Sequence, residues 1–156
     1  MATPELKFPF ARELKEQHDA LRATVRWFRS EVEQGRSNGS GGPVGDAFLR
    51  LFHEQLVKHF RFEELHGFEG GSGSNDPEIQ GWTLELFRQH HDLEERLGAL
   101  IARLEESGSV REIPAPLLTE LDAFFAALRQ HDAEENALLS WISRGPADFA
   151  RDTEEP

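Results

Sequence analysis

Six side chains in this sequence combine residue type and spacing in a way that suits metal ions: His18, His59, Glu63, His90, His131 and Glu135. Two of these histidines are followed four residues later by a glutamate of the same set, His59 by Glu63 and His131 by Glu135. On a helix, residues at i and i+4 share a face about 6 Å apart along the axis, so an imidazole and a carboxylate spaced this way reach one core layer. Four imidazoles and two carboxylates overfill the tetrahedral set that zinc usually takes. They suit two adjacent divalent ions better, with each glutamate able to bridge both through its two oxygens. Two such ions, two carboxylates and a bridging hydroxide leave a small positive charge, which is room for one small anionic or reducible ligand. Mixed imidazole and carboxylate donors are compatible with iron, manganese or zinc, and redox-active iron best explains a paired site.

The rest of the composition narrows the chemistry to these groups. The chain has 156 residues, with 17 Lys and Arg against 29 Asp and Glu, a net charge of −12, seven histidines, and neither cysteine nor tyrosine. Without cysteine there is no disulfide, thiolate nucleophile, iron–sulfur cluster or Cys-type zinc site. Without tyrosine there is no tyrosyl chemistry. Basic residues nowhere form a run, which argues against nucleic acid and against an anionic membrane as partner. The N-terminus MATPELKFPF lacks a basic segment followed by an apolar one, and no stretch approaches the length of a membrane span. The expectation is therefore a cytoplasmic protein that stays out of the membrane, of a size that buries one core.

Four long segments must position the six residues. They are separated by GRSNGSGGP at Gly35–Pro43, GFEGGSGSNDP at Gly67–Pro77 and SGSVREIPAP at Ser107–Pro116. Gly35, Gly67 and Gly108 stand where helices would stop in a left-handed residue, Asp76–Pro77 reads as an N-cap with a first-turn proline, and Pro114 and Pro116 open the fourth segment. The first segment carries Leu14, His18, Leu21, Val25, Phe28 and Val32 on one face, and the third carries Leu86, His90, Leu93, Leu97, Leu100 and Leu104. The second shows Leu49, Phe52, Leu56, His59 and Glu63, and the fourth Leu121, Phe124, Leu128, His131 and Glu135. Corresponding positions lie 72 apart, as 14 to 86, 18 to 90, 52 to 124, 59 to 131 and 63 to 135. One helical hairpin is written twice. This pattern predicts an all-α, antiparallel up-down four-helix bundle over residues 10–144, preceded by an N-terminal arm at 1–9 and followed by an acidic C-terminal tail at 145–156.

All six polar residues fall on core-facing seams, where a charged or imidazole group costs free energy unless it is paired or bound to metal. Asp19, Glu64, Asp132 and Glu134, with Gln17, Gln89 and Gln130, are candidates to hold the outer imidazole nitrogens. His53 and Glu54 fall on the outer face. His91 lies one residue off the seam, and the apolar register favours His90, since His18 and His90 share the leucine three residues later, Leu21 and Leu93. His66 sits two turns beyond His59. It reads as an additional ligand, as a gate at the end of the site or as a partly wet histidine at a helix end, and Glu63-x-x-His66 gains no support from the second hairpin, where Leu138 takes its place.

The ordered set His18-x-x-Leu21, HFRFEE at 59–64, His90-x-x-Leu93 and HDAEE at 131–135 resembles the hemerythrins, and more narrowly the hemerythrin HHE cation-binding domains. The resemblance spans all four helices, about Phe10 to Trp141. It implies two non-haem iron ions joined by two carboxylates and an oxo or hydroxo group, reacting with O₂ or NO. Two positions depart from the oxygen carriers. Where those proteins have a further histidine one turn before the third-helix ligand, this chain has Leu86. Their last bridging carboxylate is usually an aspartate five residues after the fourth-helix histidine, whereas here it is Glu135 at four, with Asn136 at five.

Losing a histidine leaves one metal with an open position, which favours four-His, two-Glu chemistry over simple reversible O₂ carriage. Three functions follow as expectations: a module that binds or senses O₂ or NO, a di-iron oxidoreductase acting as ferroxidase, peroxidase or NO-processing enzyme, and a bundle around structural zinc. The expected partners are a diatomic gas or peroxide, with the protein a monomer or a homodimer. No catalytic acid or base outside the ligand set is identified, although His66 and His91 are the ones to test.

Overall fold

The computed structural model describes residues 11–38, 45–67, 76–108 and 113–144; the expected arm at 1–9 and tail at 145–156 lie outside the described residues. Four long helices account for nearly all of it. They are α1 (Ala11–Asn38), α2 (Gly45–Phe62), α3 (Pro77–Glu106) and α4 (Ala115–Arg144), and α2 runs on into a π-helical turn at Glu63–Gly67.

Local chemistry explains most of the helix ends. Asp76 caps α3, its carboxylate accepting from the Glu78 N–H at 2.9 Å, and Pro77 occupies the first turn, where a missing N–H costs nothing. The same helix closes at Ser107, followed by Gly108 at φ +69°, a conformation open to glycine without a Cβ clash. At the start of α4 the Pro114 carbonyl accepts the Leu118 N–H at 3.0 Å.

Two expected stops fall differently. Helix α1 passes through Gly35 and ends at Asn38, because a glycine costs a helix only about 1 kcal/mol and no proline follows until Pro43. Gly67 closes the π turn rather than following a regular α-helical end.

Ring contacts set the topology. Phe28 of α1 stacks on Phe48 of α2 at 4.5 Å while, one site layer away, His18 meets His59 at 4.6 Å, so the two helices run antiparallel. His90 meets His131 at 4.9 Å and Trp82 meets Trp141 at 6.2 Å, which makes α3 and α4 antiparallel too. Phe28 against Phe125 at 6.0 Å, with His18 against Glu135, closes α4 onto α1. The pseudo-equivalent histidine pairs have nearly the same geometry, with interplanar angles of 66° and 68°, so the 72-residue repeat of the sequence is also a repeat in space.

Two apolar layers sandwich the polar one. The larger is built on Phe28, Phe52, Leu56, Phe124, Phe125 and their neighbours. The smaller holds Ile79, Leu86 and Leu138, covered by Trp82, Phe87, Leu139 and Trp141. Interhelical ion pairs such as Arg50–Glu105 and Arg103–Glu120 lie on the outside, where such pairs contribute little. Among the described residues no helix is long and apolar enough to cross a membrane.

Stability should therefore rest on the larger apolar layer. Truncating the fully buried Phe124 to alanine is expected to cost about 3–5 kcal/mol in urea unfolding. A cost below about 1 kcal/mol would mean that the layer is not close-packed.

Candidate metal centre

His18, His59, Glu63, His90, His131 and Glu135 come together between the two apolar layers. All six are buried, and Glu63, His90 and Glu135 have no solvent exposure at all. Each of the four helices contributes, with α1 supplying His18, α2 and its π turn His59 and Glu63, α3 His90, and α4 His131 and Glu135.

The carboxylates are placed between two pairs of histidines. Glu63 turns Oε1 toward His18 Nε2, at 3.2 Å, and toward His59 Nε2, while its Oε2 lies 3.0 Å from His90 Nε2. Glu135 turns Oε1 toward His18 Nε2 at 3.0 Å and Oε2 toward His131 Nε2 at 3.3 Å. The donors fall into two overlapping groups, His18, His59, Glu63 and Glu135, and Glu63, His90, His131 and Glu135, in each of which the candidate ligand atoms all lie within 4.8 Å of one another.

Hydrogen bonding does not account for this convergence. The Nε2 atoms of His59, His90 and His131, Oε2 of Glu63 and both oxygens of Glu135 are buried with no hydrogen-bond partner despite these short approaches. Buried polar atoms are normally satisfied, and six orphans aimed at one place fit a cation better than a proton network. The outer nitrogens agree. His59 Nδ1 and His131 Nδ1 each donate to an amide oxygen, of Gln17 and Gln89, both at 2.8 Å. An amide oxygen only accepts, so Nδ1 holds the proton and Nε2 turns an unprotonated lone pair inward. His90 Nδ1 donates to the Glu64 carboxylate at 3.4 Å. This is the arrangement in which outer partners fix the tautomer of metal-binding histidines.

Residues 10–142 match the family model described as the hemerythrin HHE cation binding domain. The chain belongs to that family. No curated protein and no solved structure matches it at a comparable level.

Within this HHE domain His90 lies in a donor group and His91 does not. His90 is fully buried, while the His91 side chain is 71% exposed and pairs with Glu95 at 3.2 Å. His66 is half-buried in the π turn with its ring against Phe62, outside both donor groups, as are His53 and Glu54 on the outer side of α2. Glu135 reaches the site from four residues after His131, and Asn136 is exposed. Of the outer candidates, Gln17, Gln89 and Glu64 touch imidazoles directly, whereas Glu134 and Gln130 act one bond further out, with Gln89 donating to Glu134 at 2.9 Å. Asp19 departs from expectation. It is exposed and faces Arg22, because its position on α1 points away from the seam.

Three features had no clear sequence signal. Phe60 stacks flat on His90 at 4.0 Å and holds that ring in plane. Arg61 clasps both Glu64, at 2.8 Å, and Glu94, at 3.1 Å, and so steadies the carboxylate that holds His90. The π turn begins at Glu63, and turns of this kind recur at functional sites.

The protein groups perturb one another strongly. Burial disfavours a charged His18, but bonds to Glu135 and Glu63 outweigh it and push its pKa up to about 10. Burial likewise opposes ionisation of Glu63, but the His18, His59 and His90 imidazoles set around it overcome that and hold the carboxyl well below its ordinary range. His131 is raised because Glu135 outweighs its burial, and Asp132 is raised chiefly by burial.

Two outcomes follow. Alanine at His90 should abolish metal retention measured by plasma mass spectrometry, whereas alanine at His91 should leave it unchanged; equal retention in both would remove His90 from the site. In chelator-stripped protein, the raised His18 contributes stability that is complete below its ordinary pKa of 6.5 and is lost as pH rises toward 10. The lowered Glu63 contributes stability present above its ordinary 4.5 and lost as pH falls. The thermal midpoint of stripped protein should therefore peak between these two ordinary values and decline toward alkaline pH. Metal-loaded protein should instead hold its midpoint on the alkaline side and lose metal in acid, since protons compete with the cation. A flat alkaline profile for stripped protein would contradict the assigned pairing.

Proposed function

We propose that the chain is a non-haem di-iron protein that binds or reacts with O₂ or NO. One observation carries the reading: each buried glutamate offers one oxygen toward the α1–α2 histidines and the other toward those of α3–α4. That is what two bridging carboxylates between adjacent cations require, and a single structural zinc would need neither the second oxygen nor the second histidine pair. His18, His59, His90 and His131 would hold the ions terminally, and Glu63 and Glu135 would hold both. Iron bound there would supply reversible redox change and an open coordination position.

Leu86 supports a reactive centre over an oxygen carrier. It is fully buried in the cap with Ile79 and Leu138, so the place one turn before His90 is filled by a side chain that donates nothing. The six residues are buried between apolar layers, which keeps bulk water from them. His66 and His91, the two candidates for acid–base work, both lie outside the donor groups, which favours stoichiometric binding or sensing over turnover. A cytoplasmic location belongs to this reading, because ferrous iron persists where reductants are at hand. Manganese or zinc in place of iron, and peroxide in place of a diatomic gas, are the nearest variants.

The test is anaerobic iron loading followed by NO, O₂ or peroxide, with the ultraviolet–visible spectrum recorded before and after dithionite. The expected result is a spectral change that saturates at a fixed ratio of ligand to site and bleaches on reduction. Consumption of many equivalents per chain would transfer the protein to the oxidoreductase reading, and no change with any of the three would end both.

A further inference from the structure

The internal repeat lets one half of the molecule serve as a template for the other. Positions 72 apart pair Gln17 with Gln89, Lys58 with Gln130 and Phe62 with Glu134. In the second hairpin these residues close on one another. His131 Nδ1 donates to Gln89 Oε1 at 2.8 Å, Gln89 Nε2 donates to one oxygen of Glu134 at 2.9 Å, and Gln130 Nε2 donates to the other at 3.2 Å. The Glu134 carboxylate is thus held by two nitrogen donors and rests, through Gln89, on a core histidine.

The first hairpin keeps the donors and loses the acceptor. His59 Nδ1 donates to Gln17 Oε1 at the same 2.8 Å, but the carboxylate is replaced by the ring of Phe62. Among the described residues, Gln17 Nε2 and the exposed Lys58 ammonium have no hydrogen-bond or ion-pair partner. In their place α1 and α2 leave a pocket of about 420 Å³, whose lining includes Gln17, Ala20, Leu21, Lys58, His59 and Phe62. Two donors, one of them cationic, stand beside an apolar wall in a chain of net charge −12.

We propose that this pocket binds a small monocarboxylate with a compact apolar body. Its carboxylate takes from Gln17 and Lys58 the two bonds that Glu134 takes from Gln89 and Gln130, and its body lies against Ala20, Leu21 and Phe62. A charge-assisted contact to Lys58 and a second bond to the amide give the recognition its direction. The bound carboxylate polarises the Gln17 amide and so strengthens its bond to His59 Nδ1. The support that Glu134 gives permanently to His131 becomes ligand-dependent at His59. The pocket is independent of which cation the core holds.

The test is equilibrium dialysis of radiolabelled benzoate against the full, metal-loaded chain, with benzyl alcohol as the neutral competitor. Saturable binding of a single benzoate per chain that benzyl alcohol does not displace is expected. Lys58→Gln installs the amide of the second hairpin and should weaken binding about tenfold. Phe62→Glu brings the missing carboxylate into the chain and should abolish it, with circular dichroism confirming the fold. Should that variant not fold, the exposed Lys58→Gln still decides. Absence of saturable binding, displacement by benzyl alcohol, or full-strength binding in Lys58→Gln would overturn the proposal. The last result would place the anion elsewhere, as in the groove between α1 and α4 where Arg22, Arg26 and Arg129 lie.

Discussion

The constraint on which this structure turns is the burial of two carboxylates and four imidazoles in the middle of a helical bundle. Isolated charges there are costly, and removing one member of such a set leaves the rest uncompensated. The fold meets that cost on three levels. Apolar layers above and below keep water away, outer amides and a carboxylate fix the imidazole tautomers, and the inner lone pairs converge where a cation would neutralise them. Membership of the HHE cation-binding family and the orphaned inner atoms of His59, Glu63, His90, His131 and Glu135 are independent lines that both point to a cation.

Duplication explains how so many donors arrive in one layer. A single hairpin contributes two histidines and one glutamate, and placing two hairpins around a shared axis lets each glutamate reach across to the other pair. The two copies are no longer equivalent outside the donors. Glu64 supports His90 where the other hairpin has Asn136, and Glu134 backs Gln89 where the other has Phe62. Asp132, raised by burial, lies within the electrostatic reach of His18. The inner shell is nearly symmetric and its surroundings are not, which gives the two halves different environments for the same chemistry.

Most of the architecture was legible in the sequence because it rests on periodicity. Polar residues on otherwise apolar seams marked the six that the structure buries together, and the shared offset tied them into one layer. Register put His90 on the buried seam and His91 on the exposed side, as the structure has them, because a shift of one position on a helix moves a side chain by about 100°. The failures have equally physical causes. Gly35 did not end α1 because a single glycine is a weak helix breaker, and the π turn at Glu63 left no compositional trace. Asp19 is adjacent to a donor in sequence but faces solvent, whereas Phe60 and Arg61 act on His90 from a neighbouring helix, a relation that spacing along one chain does not encode.

The central claim is that Glu63 and Glu135 join two cations rather than enclosing one. Its most direct measurement is the iron content of anaerobically loaded protein, freed of excess metal, together with its Mössbauer spectrum after exposure to air. Two irons per chain, coupled into a diamagnetic ground state, are the result this account predicts. One iron per chain with the magnetic spectrum of an isolated ferric ion would contradict it.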